Sequence, residues 1–193
     1  MLILLARHAH SVLNVEGRVN GDPTVDVPLS PDGRDQARQF GAQMAHLELD
    51  LGICTRFPRT RETLELAIEG RTLPIEVEPL LDDIDIGDLE GWELARYREV
   101  KRELGRTRPF PGGESLDAAA LRYAKAFAAL AARDVERVLV VCHEIPIRYA
   151  LNAAAGSDDL DGPPFHDVPN AAPYLFEGDA LARGAARIEQ LAS

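Results

Sequence analysis

The chain is short of the features that would assign it to several broad classes. It holds only two cysteines, Cys54 and Cys142, far apart and each at the end of an apolar run, so no Cys-x-x-Cys pair or disulfide framework exists. Buried free thiols are the default reading of such residues. No apolar stretch approaches the length of a membrane span. The opening Met1-Leu2-Ile3-Leu4-Leu5-Ala6 is too short for a signal-peptide core and lacks a basic segment before it, so a cytoplasmic location is expected. Positive charge is scarce too: 21 basic residues face 32 acidic ones, a formal net charge of −11, with no basic run. Nucleic acid would meet net repulsion, so neither a nucleic-acid nor a membrane partner is expected. A small anion is different, because a local cluster of arginines can hold it inside an acidic molecule.

What is present describes a soluble globular chain, with 46% hydrophobic and 27% charged residues among 193. No repeat, low-complexity tract or linker divides it, so a single domain over 1–193 is expected, with oligomeric state left open. Leu2 to Ala6 reads as a buried strand that runs into Arg7-His8. Ser30-Pro31 opens a helix with Ala37, Phe40, Met44 and Leu47 on one face. Leu51 to Cys54 and Ile75 to Val77 read as strands, with a helix between them that turns Leu64, Ala67 and Ile68 inward. An acid- and glycine-bearing loop spans Leu81 to Trp92, followed by helices over Glu93 to Leu104 and from Ser115. Val138 to Val141 is the next buried strand, ending in Cys142-His143, and a helix covers Pro146 to Ala155. Tyr174 to Phe176 and Ala186 to Leu191 read as short closing strands, able to pair antiparallel at a sheet edge. Strands alternating with helices predict a three-layer α/β/α fold, its mostly parallel sheet carrying helices on both faces.

Polar residues that could carry chemistry fall where strands end or loops begin: Arg7-His8, Arg59, Asp83 and His143. The C-terminal ends of parallel strands are where sites form in such sheets. A neutral imidazole can attack phosphorus, provided its other nitrogen is held by a hydrogen bond. Arginine forks suit phosphate oxygens, and a carboxylic acid can protonate the leaving oxygen. Phosphoryl transfer asks mainly for positioning and charge stabilisation, so these groups suffice without metal or cofactor.

At these residues the chain resembles the histidine phosphatase superfamily, also called phosphoglycerate mutase-like. Leu5-Ala6-Arg7-His8-Ala9-His10 is similar to the family's Arg-His-Gly opening. Asn14, Gly17-Arg18, Gly21, Pro28-Leu29, Gly33 and Gln36-Ala37 follow at the family's spacing. Thr55 to Thr63 resembles the Ser-x-x-x-Arg-Ala segment, Leu81 to Gly91 the acid-bearing loop, Pro111 to Ser115 the Pro-x-Gly-Glu-Ser segment, and Val138 to Arg148 the second histidine strand. The resemblance implies that His8 becomes phosphohistidine. It also implies that Arg7, Arg59 and His143 form the phosphate pocket with a polar contact from Asn14, and that Asp83 stands where the family carries its proton donor. A phosphatase acting on a small phosphorylated substrate is expected. A phosphoglycerate mutase-type phosphotransferase and an inactive phospho-ligand-binding protein are the alternatives.

Four residues depart from the family pattern: Ala9 for glycine, His10 for an acidic or amide residue, Asp83 for the longer Glu, and Glu144 for the glycine after the second histidine. A carboxylate at Glu144 lies close to the phosphate site, and His10 is expected to compensate it. Arg18 is either a substrate contact or an exposed loop arginine. Glu90 and Glu114 read as turn and cap residues, His46 as solvated, His166-Asp167 as structural or rim, and Trp92 and Tyr97 as core or pocket wall. Two rival enzyme readings exist. Cys142 to Arg148 fits the Cys-x5-Arg spacing of cysteine phosphatases, though without glycine and with a Pro and a Glu opposing phosphate. His8-x-His10 puts two imidazoles on one side of an extended strand, as in some metal hydrolases.

Overall fold

The apolar runs of the sequence become strands, and amphipathic segments between them become helices, in a computed structural model that describes residues 1–193. In chain order these are β1 (Leu2–Arg7), α1 (Val12–Val15), α2 (Pro31–Gln43), β2 (Leu51–Cys54), α3 (Pro58–Ala67) and β3 (Ile75–Val77). Then come α4 (Leu94–Leu104), α5 (Leu116–Ala131), β4 (Arg137–Cys142), α6 (Glu144–Ala154), β5 (Pro173–Glu177) and α7 (Gly178–Ala192). The sheet runs β3-β2-β4-β1-β5. All neighbours are parallel except β5, which lies antiparallel along β1 at the edge. No helix is long and apolar enough to cross a membrane.

Strand side chains alternate between the two faces. Ile3, Leu5, Ile53, Val138 and Val140 face the larger core with α5, α6 and α7. Leu4, Ala6, Cys54, Leu139 and Val141 face the smaller one, where Phe40, Met44 and Leu64 cover them from α2 and α3. Ser30 and Ser115 cap their helices as the sequence indicates, their Oγ atoms accepting from the Gly33 and Ala118 amides at 3.0 and 3.1 Å.

One expected element is wrong. Ala186 to Leu191 is no strand but the last turns of α7, where Leu181, Ala185, Ile188 and Ala192 recur at helical spacing and are buried. A six-residue window hides that period. Helix α6 also starts two residues before Pro146, because proline is tolerated within the first turn.

The register sets the site. Arg7 is level with Cys142 across β1 and β4, and Cys54 with Val141 across β2 and β4. The residues that follow these strands therefore emerge together, and the His8 amide donates to the Cys142 carbonyl at 3.0 Å. Helices α2 and α3, which bring Arg59 to this edge, touch backbone to backbone at Gly41, where a Cβ would lie 2.3 Å from the Ala67 carbonyl oxygen. Gly41→Ala is expected to destabilise the fold by roughly 1–3 kcal/mol, read from the urea midpoint at unchanged m.

Candidate active site

Arg59 enters from the first turn of α3, only 3% exposed, and every nitrogen of its guanidinium has work. Its Nε donates to His8 Nε2 at 3.0 Å. One terminal nitrogen reaches the Asp83 carboxylate, the Asn20 carbonyl and His143 Nδ1, each at 3.2 Å. The other donates to the Asn20 side-chain oxygen. The Phe57 ring lies beneath the guanidinium, 4.3 Å from its carbon to the ring centre. Burial pulls the Arg59 pKa down to about 10, against the opposing pull of Asp83, so the group stays charged at neutral pH.

The two imidazoles lie edge to face with ring centres 5.4 Å apart. His8 Nδ1 is 2.8 Å from the Ala9 carbonyl oxygen. A carbonyl only accepts, so Nδ1 carries the proton and Nε2 keeps its lone pair. The Arg59 Nε donor on Nε2 requires the same tautomer. His143 is fully buried behind this pair, with Nε2 3.0 Å from Thr55 Oγ1. Thr55 passes the chain to Thr60 Oγ1 at 2.9 Å, and Thr60 ends it on the Phe57 carbonyl at 2.8 Å. Accepting from Arg59, the neutral ring has its proton on Nε2. A charged ring would instead donate from Nδ1 to Asp83 Oδ2, 3.4 Å away.

Asp83 sits on the acid-bearing loop, 23% exposed at the cavity and fixed by the Ile84 amide on Oδ1 at 3.0 Å. Burial raises its pKa above the ordinary 3.8, and Arg59 lowers it in opposition. Two arginines hold that loop. Arg56 binds the buried Asp82 carboxylate at 2.9 Å through its amide and 2.5 Å through Nε. Arg122 of α5 donates to the Leu80, Asp82 and Asp83 carbonyls at 2.9, 3.0 and 3.3 Å, and its far end pairs with Glu114.

These groups border a cavity of about 470 Å³ whose wall includes Arg7, His8, Asn14, Arg18, Arg59, Asp83 and Glu144. Asn14 Oδ1 accepts the Ser11 amide at 3.1 Å, which leaves its NH2 for the cavity. Arg18 reaches the wall half exposed, held to the Gly91 carbonyl at 2.6 Å. Tyr97 forms wall, and His166 and Asp167 form rim.

His10 does not join them. It is exposed, outside the cavity wall, and its amide is taken by Gln36 at 3.1 Å. The expected pairing of His10 with Glu144 is therefore incorrect. The counter-charges of Glu144 are Arg7 at 2.9 Å and Arg148 at 2.8 Å. Nor do His8 and His10 share a side, the first being buried and the second exposed. No group of three or more His, Cys, Asp or Glu is placed to hold a metal ion. Cys142 is wholly buried and its thiol is pushed up to about 12 by that burial, so it offers no thiolate at neutral pH.

Sequence reasoning missed Asn20, Thr55, Thr60 and Arg122 as parts of the site. Thr55 follows a strand end and was findable on that ground. Asn20 carried no signal. It is positioned by Glu90, whose carboxylate takes the Asn20 side-chain amide at 2.8 Å and the Gly21 and Asp22 amides at 2.7 and 3.1 Å.

The two histidines are held below the ordinary 6.5, by burial first and Arg59 second. Below about 6.5 the unfolded chain protonates these rings and the folded chain does not, so their stabilisation is complete above that pH and fades as pH falls. Asp83 has the opposite sign, its raised pKa favouring the folded chain on the acid side and losing that contribution as pH rises through its folded value. Two rings outnumber one carboxyl. The unfolding temperature is thus expected to drop between about pH 7 and 5.5, with a shallower drop in His8→Asn, by scanning calorimetry.

Comparison with known proteins agrees with this architecture. The sequence pattern of the histidine phosphatase superfamily (branch 1) matches residues 3–185. The chain is 33% identical over 104 residues to an adenosylcobalamin/α-ribazole phosphatase of Salmonella typhimurium, covering 53% of this chain and 48%, about half, of that protein. It is 32% identical over 164 residues to a 2,3-bisphosphoglycerate-dependent phosphoglycerate mutase of Gloeobacter violaceus, covering 78% and 74%. A solved open-reading-frame product of Mycobacterium tuberculosis is alike in fold at a TM-score of 0.73 and 31% identity, over 90% of this chain and 89% of the other. With its paired strand-end histidines and its match over nearly the whole length, the chain belongs to the histidine phosphatase superfamily.

Proposed function

We propose that residues 1–193 act as one domain that hydrolyses small phosphomonoesters through a phosphohistidine on His8. The observation that carries this reading is the His8 tautomer: the proton sits on Nδ1, and the Nε2 lone pair, at the cavity wall, is held by the Arg59 Nε donor, which must turn to the phosphoryl oxygens to release it for attack. Relatives named as phosphatases support the same chemistry.

Arg7, Arg59 and the Asn14 amide hold the phosphoryl oxygens, and the phosphorus comes to rest in line with His8 Nε2. The nitrogen lone pair forms the P–N bond as the P–O bond to the leaving group breaks. The Asp83 carboxyl gives its proton to that oxygen, a role its raised pKa suits. A phosphate monoanion brings one proton with it, which His143 takes up and shares from Nδ1 with a phosphoryl oxygen in place of Asp83, and that proton leaves with the inorganic phosphate. Water completes the cycle. Asp83, now a carboxylate, takes its proton as it attacks phosphorus, the P–N bond breaks, and His8 recovers its neutral form.

The mutase relative favours a second reading, in which phosphohistidine passes the phosphoryl group to an organic hydroxyl rather than to water. Product analysis separates the two, because only hydrolysis releases inorganic phosphate stoichiometrically.

His8→Ala is expected to abolish both turnover and acid-labile phosphoryl labelling of the protein. Labelling and turnover absent from the unaltered protein across a panel of phosphomonoesters would instead mark a phospho-ligand-binding protein. Asp83→Asn should slow hydrolysis of alkyl phosphates by about 10²–10⁴-fold, and p-nitrophenyl phosphate far less, since that leaving group needs no proton. Equal losses on both would remove Asp83 from the proton-donor role.

A further inference from the structure

We propose that Glu144 is a charge filter for the phosphoryl site, admitting a phosphomonoester that still carries one proton and disfavouring the fully ionised dianion. The proposal rests on the phosphatase reading above and names the ionic form of substrate that the same cavity takes.

The carboxylate stands where it can act on a phosphoryl group. Glu144 is the first residue of α6, directly after His143, and it shares the cavity wall with Arg7, His8, Arg59 and Asp83. The family pattern has glycine at this position, with no side chain to offer. Here the side chain is 30% exposed, and one oxygen lies 2.9 Å from a terminal nitrogen of Arg7. That same nitrogen donates to the Val168 carbonyl at 2.8 Å. A cation needed by phosphate is thus facing a negative charge before any substrate arrives. The field of Glu144 reaches the proton donor as well. Burial is the main cause that raises the Asp83 carboxyl, and Glu144 adds to it against the opposing pull of Arg59 and Arg7.

The charges nearest the phosphoryl group match a monoanion. Arg7 and Arg59 each bring a positive charge, Glu144 cancels one of them, and Asp83 is neutral while it holds the proton for the leaving group. Arg148 binds the other Glu144 oxygen at 2.8 Å, on the side away from Arg7, and shares Asp161 with Lys101 and Arg106. Asp117 also pairs with Arg106. This group compensates Glu144 from behind. Arg18, Arg98 and Asp167 are exposed on the same wall, where water and salt screen them. A carboxylate beside Arg7 therefore weighs more on a phosphoryl oxygen than these remoter charges do.

A second negative charge on the ligand meets the same carboxylate again, so the Coulomb penalty doubles. A ligand that keeps one proton avoids this. The proton has a place to rest, on Nδ1 of the buried His143, where it is shared with a phosphoryl oxygen. Discrimination by a repulsive group is a general route to specificity, and here it acts on ionic form rather than on shape.

Two probes of one shape test the filter. Methylphosphonate and methanesulfonate each present a methyl group and three oxygens, but only the phosphonate has a second proton to lose. Neither can pass its central atom to His8, so calorimetry can follow both on the unaltered protein across that ionisation. The ratio of their affinities cancels the protein's own titrations. With the proton required in the bound state, the ratio should shift toward methanesulfonate by about tenfold for each pH unit above the phosphonate's ionisation. Glu144→Gln keeps the shape and removes the charge. Its affinity for the dianion, relative to methanesulfonate, should exceed that of the unaltered protein by about tenfold or more, and Glu144→Ala should act likewise. Glu144→Asp keeps the charge and should follow the unaltered protein. A ratio that shifts toward the phosphonate with rising pH in the unaltered protein, the same course in both uncharged variants, a Glu144→Asp that behaves as they do, or no binding of either probe would overturn the proposal. Absent hydrolysis of p-nitrophenyl phosphate with the ratios parted as expected would instead count against the phosphatase reading alone.

Discussion

A charged guanidinium with almost no water to share its charge is the constraint around which this site is organised. Arg59 lies between two imidazoles, donates to one nitrogen of each, and thereby makes a proton on either of those nitrogens unfavourable. The nucleophilic role proposed for His8 depends on keeping it neutral, since a protonated ring has no lone pair to give. The guanidinium must itself be satisfied, and Asn20 and Asp83 do this from two separate loops. Those loops are held in turn by Glu90 and Arg122, so residues that never face the cavity govern the geometry of the nitrogen that does. The arrangement is a nested set of hydrogen bonds with one cation at its centre.

The parallel register of β1 and β4 supplies the other half of the geometry. Two short apolar strands end at the same level, and each is followed at once by a histidine. The sheet sets their separation before any polar contact forms. Hydrophobic burial therefore fixes where the rings are, and the polar network fixes how they point and which nitrogen bears the proton.

This division explains what could be read from the sequence. The strands and the histidines at their ends were legible because apolar runs stopping at Arg7-His8 and Cys142-His143 are local patterns. The order of resembling segments then pointed to Arg59 and Asp83. Pairings between remote residues were not legible. Glu144 was matched to His10 because both depart from the family pattern, yet its partners are Arg7 and Arg148, the latter one helical turn along α6. The i, i+4 relation of Glu144 and Arg148 was visible in the sequence and would have found half of the answer once the helix was known to begin at Glu144 rather than Pro146. Arg122 acts on main-chain carbonyls, and Asn20 acts through its side chain and carbonyl from a loop turn, and nothing in residue type marks such roles.

The closing segment of the sheet touches His8 directly. Asn170 donates its side-chain amide to the His8 carbonyl at 2.7 Å, and the Ala171 amide donates to the Arg7 carbonyl at 2.9 Å. Ala171 adopts a left-handed φ of 52° there, a conformation an alanine keeps only when its surroundings hold it. During synthesis the first strand leaves the ribosome more than 160 residues before these clasps. The backbone at Arg7 and His8 thus gains these two hydrogen bonds only when the chain is nearly complete, so a residue made among the first has its position set among the last.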